Sequence, residues 1–204
     1  MKIFIDLFSG LGGSYQAFIE THEIIAIDNN PILLEHNDFM ILGDIANTTA
    51  TIDLILDNIE EYAPLLTEVI VWASPPCVQY STANIHRDPN SFDNTLLESS
   101  LKIINHIKEV LFCYHPTIKF YWVVENVKGA YQEFTRIIGH EPLSIGNKFF
   151  LWGHFPKFNV KLDKTHTKID PFGSRALRPN LRAIIPYEIS LGLKKSISTQ
   201  KTLF

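Results

Sequence analysis

Five short apolar runs, separated by more polar stretches, constrain what this chain can fold into. They are Lys2–Phe8, Ile24–Ile27, Phe39–Leu42, Val69–Ala73 and Phe120–Val124. Runs of this length bounded by turn residues read as strands buried in a sheet. Between them the spacing predicts helices over Ser14–Glu20, from Pro31 to about His36, over Ile52–Glu61 and over Leu96–Tyr114. The last two carry Ile52, Ile55, Leu56 and Ile59, and Leu97, Leu101, Ile104 and Leu111, at helical spacing. Strands alternating with helices imply an α/β, doubly wound, mostly parallel sheet. Past Val127 the pattern predicts helices at Tyr131–Ile138 and Pro186–Leu193, and strands at Phe149–Trp152 and Phe158–Leu162. No internal repeat or low-complexity segment interrupts the chain. A single domain over 1–204 is expected, with a core over 1–145 and a smaller basic region over 146–204.

In such a sheet, ligands bind at the carboxyl ends of the strands. The unusual polar residues fall at those ends. Asp6-Leu7-Phe8-Ser9-Gly10-Leu11-Gly12-Gly13 closes the first run, Asp28 the second and Asp44 the third; Cys77 follows the fourth and Glu125 the fifth. The glycines let a ligand approach the backbone, although a tight strand-to-helix turn needs glycine too. The spacing is not Gly-x-Gly-x-x-Gly, and no Lys-Ser/Thr follows it, so a phosphate-gripping loop is excluded. Asp28 stands where an acid can hold ribose hydroxyls, and Asp44 could accept from an exocyclic amine. The conjunction points to a nucleoside cofactor without a stringent phosphate site.

Ser74-Pro75-Pro76-Cys77 opens a polar loop to Asn94, and long loops inside domains are usually functional. Cys77 can be an inward-packed thiol or a nucleophile; the two prolines ahead of it fix the backbone, which favours the second reading. Glu125 can be a solvated strand-end acid. It follows Tyr121-Trp122-Val123-Val124, however, and a carboxyl at that depth can stay protonated and donate to a base.

Charge is divided unevenly. The net charge is -4, but residues 1–100 hold 15 acidic and 2 basic side chains, and residues 101–204 hold 7 acidic and 16 basic. Such asymmetry points to a polyanionic partner for the basic half. Lys148, Lys157, Lys161, Lys164, Lys168, Arg175, Arg178 and Arg182 interleave with Phe149, Phe150, Trp152, Phe155 and Phe158, as phosphate-contacting segments do. Only Cys77 and Cys113 are present, so neither a disulfide framework nor a zinc cluster is expected. No apolar run reaches membrane-spanning length and no signal peptide is legible. An intracellular, soluble, cytoplasmic setting, with no membrane or metal partner, is the expectation.

Taken in order, these segments resemble the cytosine-C5 DNA methyltransferase family. Asp6–Gly13 matches its S-adenosylmethionine (AdoMet) turn and Gly43-Asp44-Ile45 its adenine-contacting motif. Pro75-Pro76-Cys77-Val78-Gln79-Tyr80-Ser81 matches its nucleophile loop, and Glu125-Asn126-Val127 its signature after the fifth strand. The resemblance covers roughly the first two thirds of the chain. It implies a Rossmann-like methyltransferase fold with AdoMet as cofactor and cytosine-containing DNA as partner. It further implies that Phe8, Asp44 and Ile45 contact adenine, Asp28 the ribose, and Gly10, Leu11 and Gly13 the methionine side, with Asp6 also among the cofactor residues. Pro76 and Leu96, from a Thr95-Leu96 pair, would line the same pocket. Cys77 would attack C6 of cytosine, Glu125 would bond N3 and the exocyclic amine, and Ser74–Asn94 would form a lid. Ser81, Asn126, Lys148, Arg175, Arg178 and Arg182 would meet the nucleic acid.

The family's Gln-x-Arg-x-Arg motif is absent; Asn147-Lys148-Phe149-Phe150-Leu151-Trp152 stands nearby. Its late Gly-Asn-Ser segment is absent too, with Ile185-Pro186-Tyr187-Glu188 opening the corresponding helix. There is no room for a long target-recognition domain, so any sequence preference falls to about 146–182. The compact form resembles the small methyltransferases of phages and other viruses. A tRNA-modifying branch shares the core motifs, and a non-catalytic AdoMet- or DNA-binding module is the alternative from another class.

Overall fold

The structure, a computed structural model, describes residues 1–81, 84–86, 88, 91–163 and 177–200. Seven strands form one sheet: β1 (Lys2–Leu7), β2 (Glu23–Asp28), β3 (Met40–Leu42), β4 (Glu68–Ala73), β5 (Lys119–Asn126), β6 (Leu143–Ile145) and β7 (Phe149–His154). Their order is β3-β2-β1-β4-β5-β7-β6. The first five run parallel, and β7 pairs antiparallel with both β5 and β6. The expected doubly wound, mostly parallel α/β class is therefore the one observed.

Near-complete burial explains why these segments are strands. Every residue of β4 is buried, as are Ile3 to Leu7 of β1. One face of the sheet packs Ile3, Ile5, Val69, Val71 and Val124 against α1 (Thr48–Ile59) and α2 (Thr95–Tyr114) through Ile55, Ile59, Ile104 and Ile107. The other face sets Phe4, Trp72, Tyr121 and Val123 against Ile189, Leu193 and Ile197 of α5 (Tyr187–Thr199). Two shorter helices, α3 (Tyr131–Ile138) and α4 (Arg178–Ala183), complete the described α-helices. Among the described residues, no helix is long and apolar enough to cross a membrane.

Three expected elements differ. Ser14–Glu20 forms a run of turns, not a helix. The cause is α5, whose side chains occupy the backbone groups that a helix would pair. Ser190 Oγ donates to Ser14 O at 2.6 Å and accepts from Ala17 N at 3.1 Å. Lys194 Nζ donates to Ala17 O at 2.8 Å. Phe18 N turns instead to Tyr15 O. The segment after Pro31 is a 3-10 helix over Pro31–Glu35. Residues 158–162 keep the alternation of a strand, with Phe158, Val160 and Leu162 inward, but lie beside Gly192 of α5 and join no ladder.

The unexpected strand β6 arises from a two-residue turn. Gly146 and Asn147 have φ 59° and 55°, and Lys148 N donates to Ile145 O at 3.1 Å. Two positive-φ residues give the twist that a tight hairpin requires. A division at 145/146 falls inside this hairpin. Where β7 crosses β5, Gly153 has φ 140°, and a Cβ there would sit 2.1 Å from Trp122 O. Gly153→Ala is expected to destabilise the fold by roughly 3 kcal/mol or more. Urea unfolding checks this; a loss below about 1 kcal/mol would contradict the close approach.

Candidate active site

The crevice opens where β1 lies between β2 and β4, the point at which the strand order reverses. On one side stands the turn after β1. Ser9 N donates to Ile27 O at 3.0 Å, and Gly10 N donates to Asp28 Oδ2 at 3.0 Å. Asn30 N donates to the other Asp28 oxygen, also at 3.0 Å. Asp28 is thus the clamp of the turn; with two lone pairs per oxygen it retains capacity for further donors. Asn37 Nδ2 donates to Gly10 O at 3.0 Å, while Tyr15 Oη donates to Asn37 Oδ1 at 2.6 Å. Both Tyr15 and Asn37 are buried. The sequence reading missed this second clamp, because Asn37 resembles an ordinary turn residue ahead of β3.

The C-terminal segment closes over part of the turn. A Cβ on Gly13 would lie 2.5 Å from Ile185 O, so that stretch is already covered by backbone. Above Gly10, among the described residues, the one neighbour within 4 Å of an ideal Cβ is Asn180 Nδ2 of α4, at 3.9 Å. Beneath, Asp6 is buried, with Oδ2 accepting from Ser14 Oγ. Asp6 Oδ1 and Ser9 Oγ are buried without a hydrogen-bond partner. Burial and the nearby Asp28 charge push the Asp6 carboxyl up to about 8, against the Ser14 bond. An orphaned acceptor in a near-neutral buried acid suits an incoming cation or N–H donor. The methionine end of AdoMet has such groups, so the residues fit it.

The remaining expected cofactor residues lie just after β1 and β3, in the segment that follows β4, and at the start of α2. Phe8, in the left-handed region at φ 67°, and Leu11 are half-buried. Asp44 is exposed at the end of β3 and accepts from Ala46 N at 3.0 Å. Ile45 is buried in the core beneath it. Pro76 is exposed beside Cys77, and Leu96 is half-buried in the first turn of α2.

Across the crevice, Cys77 and Glu125 come together. Ala73 and Val124 are register partners, which carries Ser74 and Glu125 to adjacent strand ends. Glu125 is 8% exposed, and burial lifts its carboxyl to about 7 against a hydrogen bond from Ser74. Ser74 Oγ in turn accepts from Trp72 Nε1 at 2.8 Å. Cys77 is half-buried; burial first, and the Glu125 charge second, raise its thiol above the ordinary range. Asn126 is buried, donating from Nδ2 to Pro75 O at 2.9 Å and accepting from Val127 N at 2.9 Å. It therefore braces the Pro75-Pro76-Cys77 segment.

The loop is tied back onto itself. Tyr80 N and Ser81 N both donate to Cys77 O, at 3.0 and 2.8 Å. Tyr80 Oη donates to Asn94 Oδ1 at 2.7 Å, and Asp93 N donates to Gln79 Oε1 at 2.7 Å. Tyr80 also stacks on Phe92 and meets Phe134 edge-on. The start and the return of the loop are thus fixed to each other.

Lys148 stands exposed at the tip of the β6–β7 hairpin. Because β7 runs antiparallel with Phe150 opposite Asn126, that tip lies at the same rim. Arg178 and Arg182 are exposed on α4, the helix that carries Asn180 over Gly10. Arg175, with Lys164 and Lys168, lies outside the described residues. Among the described residues no cluster of metal-binding side chains occurs.

No protein-family model matches the sequence, and no curated protein matches it. Among solved structures, the chain is similar to the S. pombe Dnmt2 methyltransferase. The two are 16% identical with a TM-score of 0.44, over 78% of this chain and 53% of that one. The chain therefore spans about half the length of that protein.

Two measurements check this site. Glu125→Gln removes the negative charge that holds the Cys77 thiol up, so alkylation of Cys77 by iodoacetamide near pH 8 should accelerate roughly two- to fivefold. An unchanged or slower rate would contradict the coupling. Asp6 ionises near pH 4 in an unfolded chain but at about 8 when folded. Its stabilising contribution is therefore complete below the unfolded value and lost as pH rises through the folded one. Thermal melts should fall by several degrees between about pH 6 and about pH 9, and Asp6→Asn should flatten that decline.

Proposed function

We propose that this chain is an AdoMet-dependent methyltransferase acting on C5 of cytosine in DNA. The observation that carries the reading is the pairing of the Cys77 thiol with the buried Glu125 carboxyl at adjacent strand ends. Their strand ends lie at the same edge of the sheet as the end of β1, which leads into the Gly10 turn. C5 of cytosine is a poor nucleophile, and covalent addition elsewhere on the ring is one way to activate it.

Cys77 Sγ, as thiolate, adds to C6, and the electrons of the C5–C6 bond move to C5. Glu125 in its acid form donates to N3 and its second oxygen accepts from the exocyclic amine, so the developing charge is met by a preset hydrogen bond. AdoMet supplies the electrophilic methyl group that C5 takes. The C5 proton then passes to solvent water, its bonding pair re-forms the C5–C6 double bond, and the C6–S bond breaks to release Cys77 Sγ as thiolate. Asp6 offers Oδ1 to the cofactor's cationic end, Asp28 accepts from its ribose, and Asp44 and Phe8 border its adenine. Asn126 keeps Pro75, and hence Cys77, at fixed height. A duplex substrate must deliver its base unstacked, with Lys148, Arg178 and Arg182 on flanking phosphates and Ser81 beside the nucleophile.

Labelled-methyl transfer to duplex DNA, single-stranded DNA and tRNA tests this. Incorporation into DNA cytosine is expected, with a one-to-one covalent adduct on DNA containing 5-fluorocytosine. Cys77→Ser should lose on the order of 1000-fold or more in rate. Full activity of that variant, or transfer to tRNA alone, would overturn the proposal.

A further inference from the structure

The crevice leaves part of the basic half of the chain unused. β7 ends at His154, opposite Trp122 of β5, and the chain then runs back toward the rim beside α5. Phe158 and Val160 press on Gly192 of that helix, where a Cβ would lie 2.7 and 2.5 Å from them. Leu162 reaches Gly146 of the rim hairpin, 3.1 Å from an ideal Cβ. Between residues 157–161 and α5 lies a hollow of about 470 Å³. Half-buried Phe158, Val160 and Leu191 line it, together with exposed Lys157, Lys161 and Lys195. Among the described residues, none of these three lysines is held in an ion pair. Against the three cations the hollow sets one described acid, Glu188. A neighbouring hollow across Leu191 suits an anion less well. It holds Glu20 as well as Lys194, whose ammonium is spent on Ala17 O at 2.8 Å.

We propose that the hollow between residues 157–161 and α5 is a channel for the DNA backbone, with Lys157, Lys161 and Lys195 on its phosphates. Uncommitted ammonium groups beside an apolar lining suit a strand whose phosphates are charged and whose sugars are less polar. Exposed lysines hold phosphates as point charges, without reading bases. The lysines line a concavity, which a strand can enter and a flat lipid surface cannot. The channel also leads somewhere: Leu162 meets the hairpin whose tip carries Lys148, so a strand leaving it arrives at the rim of the crevice. Such contacts add affinity that is uniform across sequences and steeply dependent on salt. That is the kind of hold a chain without a long recognition region needs.

The channel rests on the proposed function for its ligand but not for its test. Fluorescence anisotropy of labelled duplex DNA, titrated against the full-length protein at several salt concentrations, reads affinity and salt slope together. The triple variant Lys157→Ala, Lys161→Ala, Lys195→Ala should weaken binding about tenfold or more near 0.1 M salt. It should flatten the slope by roughly two to three, equally on two duplexes of unrelated sequence. Each single variant should flatten it by about one, and arginine at all three positions should restore it. A triple Lys102→Ala, Lys108→Ala, Lys119→Ala removes the same charge from α2 and the start of β5, and should leave the slope nearly unchanged. An unmoved slope in the channel variants, or an equal change in the α2 and β5 triple, overturns the channel. So does wild-type protein that binds only tRNA or phosphatidylserine vesicles. A flattened slope in a protein that methylates nothing supports the channel and overturns the proposed activity.

Discussion

Strand β1 lies between β2 and β4, and the chain leaves its carboxyl end toward β2 before returning on the far side to lay down β4. A parallel sheet built this way must part its connections at that point, and the gap becomes a crevice bounded by two strand ends. The Gly10 turn, Asp6 and Asp28 belong to one wall; Ser74, Cys77 and Glu125 belong to the other. Neither wall could be moved without breaking the β1–β4 pairing, which runs without a register fault from Lys2–Glu68 to Leu7–Ala73.

Both walls carry an acid that the fold would bury more easily if it were neutral. Asp6 and Glu125 each give up hydration, and burial raises both carboxyls. Such groups destabilise an empty site and favour a filled one, because a ligand can supply what the protein interior withholds. The pair contrasts with Glu68. That acid is buried at the opposite end of β4 and is lowered by His22 and Lys2 despite its burial.

The five parallel strands were legible because burial on both faces leaves continuous apolar runs, and the strand-end acids were legible because they interrupt them. Cys77 and Glu125 announced themselves through prolines and through depth in a run. What the residues could not show was where side chains from distant sequence would intervene. Ser14–Glu20 has helical spacing, yet Ser190 and Lys194 claim its backbone from more than 170 positions away. Phe158–Leu162 has strand alternation, yet a helix and not a strand lies beside it. The Gly146-Asn147 pair was a readable hairpin signal that went unused. Asn126, whose place in the motif suggests contact with substrate, spends its amide on Pro75 and Val127.

The bonds from α5 to residues 14–17 also make the turn depend on a distant segment. The Gly-rich turn precedes α5 in the chain, and its far side is completed only when Ile185, Ser190 and Lys194 are in place. A chain lacking them holds the turn with Asp28 and Asn37 alone. A chain broken before residue 190 would carry every motif of the crevice without its finished shape.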